Sequence, residues 1–212
     1  MSSATETLLQ GTSKPARWPA CLVLEDGAVF RGTACAADGE VYGEICFNTG
    51  LEGYLEVITD PSYAGQIVTM TYPQVGNYGV SLDDVQAKQP ALRGFVVRDM
   101  CMHPSNWRSD MSLPEYLTQH AVVAIEGIDT RALVRHVRDN GAMRAVLSTV
   151  DQDEQSLLEK VRKSESLVGI NHVERVSCAV AGPYSYTHHH AFAVAEPRAA
   201  RYNVVAYDCG AT

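Results

Sequence analysis

Residues 21–32 read CLVLEDGAVFRG. Two short apolar runs flank Asp26-Gly27, and Asp-Gly between such runs is a strong hairpin signal. A hairpin here makes the start of the domain β-rich. EVYGEICFN (40–48) places Val41, Ile45 and Phe47 in rough alternation and predicts a third strand. QIVTM (66–70), LRGFVVRDM (92–100) and AVVAIEG (121–127) predict further strands. The rest of residues 50–79 is punctuated by Gly, Pro and Tyr and reads as ordered turns, the kind of region that often forms a functional surface.

Three helices are predicted from their start signals. SLPEYLTQH (112–120) has Ser112 and Glu115 at capping-box spacing, with Leu113, Tyr116 and Leu117 on one face. DTRALVRHVRDNG (129–141) has Asp129 as N-cap, Leu133 and Val137 on one face, and Asn140-Gly141 as its stop. DQDEQSLLEKVRKS (151–164) repeats the logic from Asp151 and Glu154 to Leu157, Leu158 and Val161. The fold class is therefore α/β: a β-rich domain with about three helices.

Outside that domain the pattern fades. Residues 1–20 are rich in Ser, Thr and Ala and read as a flexible tail without a secretory signal. Residues 166–201 hold no sustained period and read as a linker. Val204–Tyr207 then run into Asp208-Cys209-Gly210, as a buried parallel strand runs into a loop. With no sheet to join, that strand is expected to be disordered, swapped or sticky.

The net charge of -8 argues against a nucleic-acid or acidic-membrane binder, because phosphates require a basic face. No apolar run approaches membrane-spanning length. The six cysteines form no C-x-x-C pair and read as free buried thiols of a reducing, cytoplasmic compartment. His188, His189 and His190 are adjacent, so they do not converge as metal ligands do, and no metal site is expected.

Cys209 follows a strand, as some nucleophiles do. A nucleophile elbow needs small residues on both sides, and here only Gly210 fits, with no histidine downstream to act as base. Asp60-Pro61-Ser62-Tyr63 reads as a turn. The bland reading gives Ser62 a bond to neighbouring backbone, and the functional one gives it a hydroxyl open to a small polar ligand. There is no phosphate-binding loop, dinucleotide fingerprint or zinc-protease motif.

The run FNTGLEGYLEVITDPSYAGQIVTMTYPQVGNYGV (47–80) closely resembles the small subunit of carbamoyl-phosphate synthases. LVLEDGAVFRG (22–32), RGFVVRD (93–99), AVVAIEGIDTRALVRHVRDNGAMRAVLS (121–148) and NVVAYDCGAT (203–212) support it, in the family's order. Gly50 stands where Ser is common in that family, Leu51-Glu52 where Met-Thr is common, and Leu55 where Gln is common.

The resemblance implies two domains. The first, residues 21–165 here, packs against a large synthetase subunit. The second is a class I glutamine amidotransferase with a Cys-His-Glu triad, whose ammonia reaches the large subunit through a tunnel. There it meets bicarbonate, with ATP and Mg, for arginine and pyrimidine synthesis. NVVAYDCGAT resembles the amidotransferase domain's first strand, so residues 202–212 are expected to begin that domain. No catalytic residue and no cofactor are then expected in these 212 residues, which alone would be inactive. Ser62 matches a residue that helps bind glutamine. The alternative is a non-catalytic module that docks on the large subunit.

Overall fold

The computed structural model describes residues 17–87, 89–167, 169–178, 182 and 202–210. The predicted hairpin opens the fold. Strands β1 (Pro19–Leu24) and β2 (Val29–Ala34) pair antiparallel around Asp26-Gly27. The turn is closed by Leu24 N donating to Ala28 O at 2.9 Å and by the Asp26 carboxylate accepting from Ala28 N at 3.0 Å. β1 begins at Pro19, two residues inside the stretch read as tail, and Ala20 is already buried.

The chain continues through β3 (Glu40–Asn48), helix α1 (Tyr54–Thr59), β4 (Gln66–Met70), β5 (Gln74–Val75), β6 (Gly94–Val96) and β7 (Asp99–Met100). Then come α2 (Leu113–Gln119), β8 (Val123–Glu126), α3 (Thr130–Asn140), β9 (Met143–Ser148), α4 (Glu154–Lys163) and a single turn, α5 (Val173–Val176). Seven strands close into a barrel in the order β1-β2-β8-β6-β4-β3-β9, and β5 pairs with β7 apart from it. β3, β4, β6 and β8 run parallel to their neighbours in that set. β9 joins β1 and β3 antiparallel and completes the ring.

Alternation along the strands divides the apolar residues between two faces. Leu22, Ile45, Ile67, Val96, Ile125 and Leu147 share one interior cluster that also receives Leu133 and Val137 of α3. On the outer face Val68, Phe95 and Ala124 pack under Tyr54, Leu55 and Ile58 of α1 and Leu113 and Leu117 of α2. Cys21, Val23 and Val146 are covered by Leu157 and Val161 of α4. Burial on both faces explains why β1 reads as a continuous apolar run.

The three predicted helices form. Ser112 and Glu115 make the reciprocal capping box of α2, and Asp129 caps α3. α4 starts later than predicted: Asp153 is its N-cap, while the Asp151 carboxylate accepts from Lys160 Nζ at 2.8 Å. α1 and β9 were not predicted. α1 lies between Gly53 and Pro61 in a segment with β-branched Val57, Ile58 and Thr59, so local propensity hides a helix that packing sustains. α5 likewise falls inside the stretch read as linker.

The expected strand at 204–207 does not form. Val204, Val205 and Tyr207 are 87%, 88% and 97% exposed and join no sheet among the described residues. No helix among the described residues is long and apolar enough to cross a membrane.

Buttressing ion pairs predict an acid limit. Glu25 accepts from Arg144 N at 2.9 Å and from Arg144 Nε at 2.7 Å. Burial pulls its carboxyl up, but these bonds outweigh burial and hold it below the usual range. Glu40 is held down in the same way, burial being outweighed by bonds from Tyr42, Lys160 and Ser148. A carboxylate with a depressed folded pKa contributes stability above its unfolded pKa and loses it as pH falls through the folded one. Stability should thus be level from neutrality to about pH 5 and fall below about pH 4. Glu25→Gln should cost about 1 kcal/mol at pH 7 and flatten the acid slope in urea titrations, the pair being partly exposed.

Candidate functional site

Ser62 sits on a single 3-10 turn, Pro61–Tyr63, between α1 and β4. Asp60 ends α1 and caps the turn, its Oδ1 accepting from Ser62 N at 2.8 Å. Pro61 fixes the entry dihedral. On the far side Asn48 Nδ2, at the end of β3, donates to Tyr63 Oη at 2.9 Å. The turn is therefore capped from within by Asp60 and tied to β3 through Tyr63. The Ser62 side chain is exposed, and its hydroxyl makes no hydrogen bond among the described residues. The local bond goes to the backbone N–H instead, which leaves the hydroxyl available as donor and acceptor.

The turn borders an open cleft of about 340 Å³. Its walls include Gln66 at the start of β4, His172 before α5, Val176, and Cys209-Gly210. Two glycines show how tightly these walls meet. A Cβ on Gly65 would lie 2.7 Å from Leu167 Cδ2 and 2.8 Å from His172 Cε1. A Cβ on Gly210 would lie 2.5 Å from Val176 Cγ2 and 3.5 Å from Pro61 Cβ. The Asp208 carboxylate fixes this second wall by accepting from Gly210 N at 2.8 Å and from Cys178 N at 3.0 Å. Both ring nitrogens of His172 are buried without a hydrogen-bond partner among the described residues.

The cleft thus joins Ser62 to Leu167, His172, Val173 and Val176 and to Cys209 and Gly210. Sequence reasoning did not foresee that meeting. The segments carry no period, and close approach at Gly65 and Gly210 together with the Asp208–Cys178 bond brings them together.

Among the described residues the cleft offers hydrogen-bonding groups in Ser62, Gln66 and His172. Burial pushes the Cys46 thiol up to about 12, and pushes Cys21 and Cys35 up as well. The Asp208 carboxylate raises Cys178. A raised thiol carries less thiolate and reacts more slowly. Cys209 lines the cleft and is exposed. Cys101 Sγ donates to the His103 carbonyl at 3.4 Å, and no cysteine is hydrogen-bonded to an imidazole ring among the described residues. No group of three or more His, Cys, Asp or Glu able to hold a metal occurs among them either. His188, His189 and His190 lie outside the described residues.

A family model described as "Carbamoyl-phosphate synthase small chain, CPSase domain" matches residues 22–147. A protein of Syntrophotalea carbinolica named carbamoyl phosphate synthase small chain is 51% identical over 196 residues, covering 90% of this chain and 51% of that protein. Proteins of the same name from Nitratidesulfovibrio vulgaris and Thermotoga maritima are 53% and 54% identical, covering 79% and 71% of this chain and 44% and 38% of their own lengths. The chain spans about half the length of the curated relatives it matches. The matched residues include all nine strands but the first residues of β1 and the last of β9, together with the Ser62 turn. The chain belongs to the carbamoyl-phosphate synthase small-chain family.

Proposed function

We propose that this chain is part of a small chain that supplies ammonia from glutamine to a large carbamoyl-phosphate synthetase chain, and that Ser62 is one of its glutamine contacts. The observation that carries the reading is the Ser62 hydroxyl: exposed, unbonded among the described residues, and held on a turn capped by Asp60 and tied to β3 through Tyr63. Synthesis of carbamoyl phosphate, with its ATP and Mg, belongs to the large chain in this reading. The barrel contributes one wall of the glutamine site and a surface for the partner. Hydrolysis itself falls to a Cys-His-Glu triad in the amidotransferase half of the relatives' length.

Ser62→Ala in the whole small chain, paired with its large chain, tests the assignment. One hydrogen bond is worth about 1 kcal/mol net, so KM for glutamine should rise roughly fivefold to tenfold. Synthesis from ammonia supplied directly should be unchanged. An unaltered KM would remove Ser62 from the glutamine site. The second reading, a docking module without hydrolytic chemistry, is favoured by the lack of any thiol–imidazole pair among the described residues. It predicts docking without glutamine turnover.

A further inference from the structure

A second cavity, of about 620 Å³, opens beside the Ser62 cleft. That volume suits a small metabolite, whose pockets run from about 300 to about 1,000 Å³. Gly43 and Gly65 leave part of its lining as bare backbone. A Cβ on Gly43 would lie 2.6 Å from Gly65 O, so β3 and the start of β4 meet there with no side chain between them. Val41, Leu167 and Ile170 give the cavity an apolar wall. Leu167 lines the Ser62 cleft as well, so the two cavities are neighbours.

The charge of this cavity is the reverse of the chain's. The chain carries a net -8, yet cations gather here: Arg93 ahead of β6, Lys160 and Lys163 in the last turn of α4, and Arg175 in α5. Two acids line it, Glu40 and Glu165. The Glu40 carboxylate is already occupied: it accepts from Lys160 Nζ at 3.1 Å, from Ser148 Oγ at 3.0 Å and from the Tyr42 hydroxyl. Lys160 is also held by Asp151 at 2.8 Å. Arg93 and Arg175 make no ion pair and no side-chain hydrogen bond among the described residues. Lys163 Nζ reaches only Glu159, at 4.0 Å and one helical turn back, with both side chains exposed. Such a pair is worth little. Three cations from three separate elements thus line one cavity uncompensated, against one unpaired acid, Glu165.

A cleft lined by one sign of charge focuses its field and concentrates the opposite ion. Guanidinium forks match phosphate oxygens, and a phosphate ester offers three terminal oxygens and up to two charges to three donors. A carboxylate has two oxygens and one charge, fewer than three cations require. We propose that this cavity binds a small phosphate monoester, with its phosphate held by Arg93, Lys163 and Arg175 and its organic part against Val41, Leu167 and Ile170. The site is separate from the glutamine role and does not depend on Ser62. Occupancy also steadies α5, which turns Arg175 to this cavity and Val173 and Val176 to the Ser62 cleft.

The test titrates the whole small chain with inorganic phosphate and with phenyl phosphate, by calorimetry at fixed ionic strength. Both should bind saturably at one site per chain, phenyl phosphate at least about threefold tighter because its ring meets the apolar wall. Arg93→Gln with Arg175→Gln should raise Kd for phenyl phosphate at least about tenfold. Arg131→Gln with Arg135→Gln removes the same charge from α3 and should leave Kd unchanged. Glu165→Gln should tighten binding. Thermal melts check that each variant is folded. In the wild type, phenyl phosphate should slow amide exchange in residues 170–176, a readout that needs no variant. Unchanged binding in Arg93→Gln with Arg175→Gln would overturn the site. Equal weakening in the α3 pair would reduce the effect to net charge and overturn it too. Equal affinity for the two probes would overturn the monoester and assign the site to free phosphate. No saturable binding of either probe by the wild type would overturn the proposal outright.

Discussion

Gly32→Val is expected to unfold most of the protein at urea concentrations the wild type withstands. β2 meets β8 at only two register pairs, Thr33 with Glu126 and Ala34 with Ile125, and this seam closes the barrel between the hairpin and the parallel strands. A Cβ at position 32 would lie 2.3 Å from the Glu126 carbonyl oxygen and 2.8 Å from Ile128 Cγ2. The first neighbour is backbone and cannot turn aside, so the strands must separate. Forcing atoms into a packed site costs about 1–3 kcal/mol and more where backbone blocks relief, against a total of about 5–15 kcal/mol for a domain. The urea midpoint should fall accordingly.

Gly127→Ala provides the contrast. That glycine has φ +82° and open space around its Cβ, so its cost is conformational, about 1–2 kcal/mol, with the seam intact. Equal midpoints for wild type and Gly32→Val would mean that the barrel is not closed at β2–β8.

Elements with strong local signals were legible in the sequence. Asp26-Gly27 encodes the first hairpin, and Ser112, Asp129 and Gly141 encode helix limits, because turns and caps are satisfied by neighbouring residues. Elements made by tertiary packing were not. β9 owes its strand to β1 on one side and β3 on the other. α1 is six residues long, too short to stand without the outer face of β4 and β6 beneath Leu55 and Ile58. Val204–Tyr207 show the reverse: strand-like residues without a partner edge make no strand.

The candidate site divides in the same way. The Ser62 turn is written in Asp60-Pro61, and the family resemblance marked its serine. The opposite wall was hidden, because His172, Val176 and Gly210 converge only in three dimensions. Residues 50–79 read as ordered turns, but their tie to the loop after β7, Asn106 Nδ2 donating to the Tyr78 carbonyl at 3.2 Å, joins residues distant in sequence and was not legible.

In the proposed division of labour, this barrel contributes a glutamine contact and a docking face but no hydrolytic chemistry. The Cys21, Cys35 and Cys46 thiols are pushed away from thiolate by burial, and no thiol is hydrogen-bonded to an imidazole ring among the described residues. The Ser62 hydroxyl offers about 1 kcal/mol per hydrogen bond, against an association cost of at least about 4 kcal/mol. Glutamine should therefore neither dwell nor turn over on this chain alone. The most direct measurement is ammonia release from glutamine by the purified 212-residue chain, alone and with the large synthetase chain. The predicted result is release equal to that of buffer in both cases, with carbamoyl phosphate still formed when ammonia is supplied. Glutamine turnover by the 212-residue chain that disappears in Ser62→Ala would contradict this division of labour.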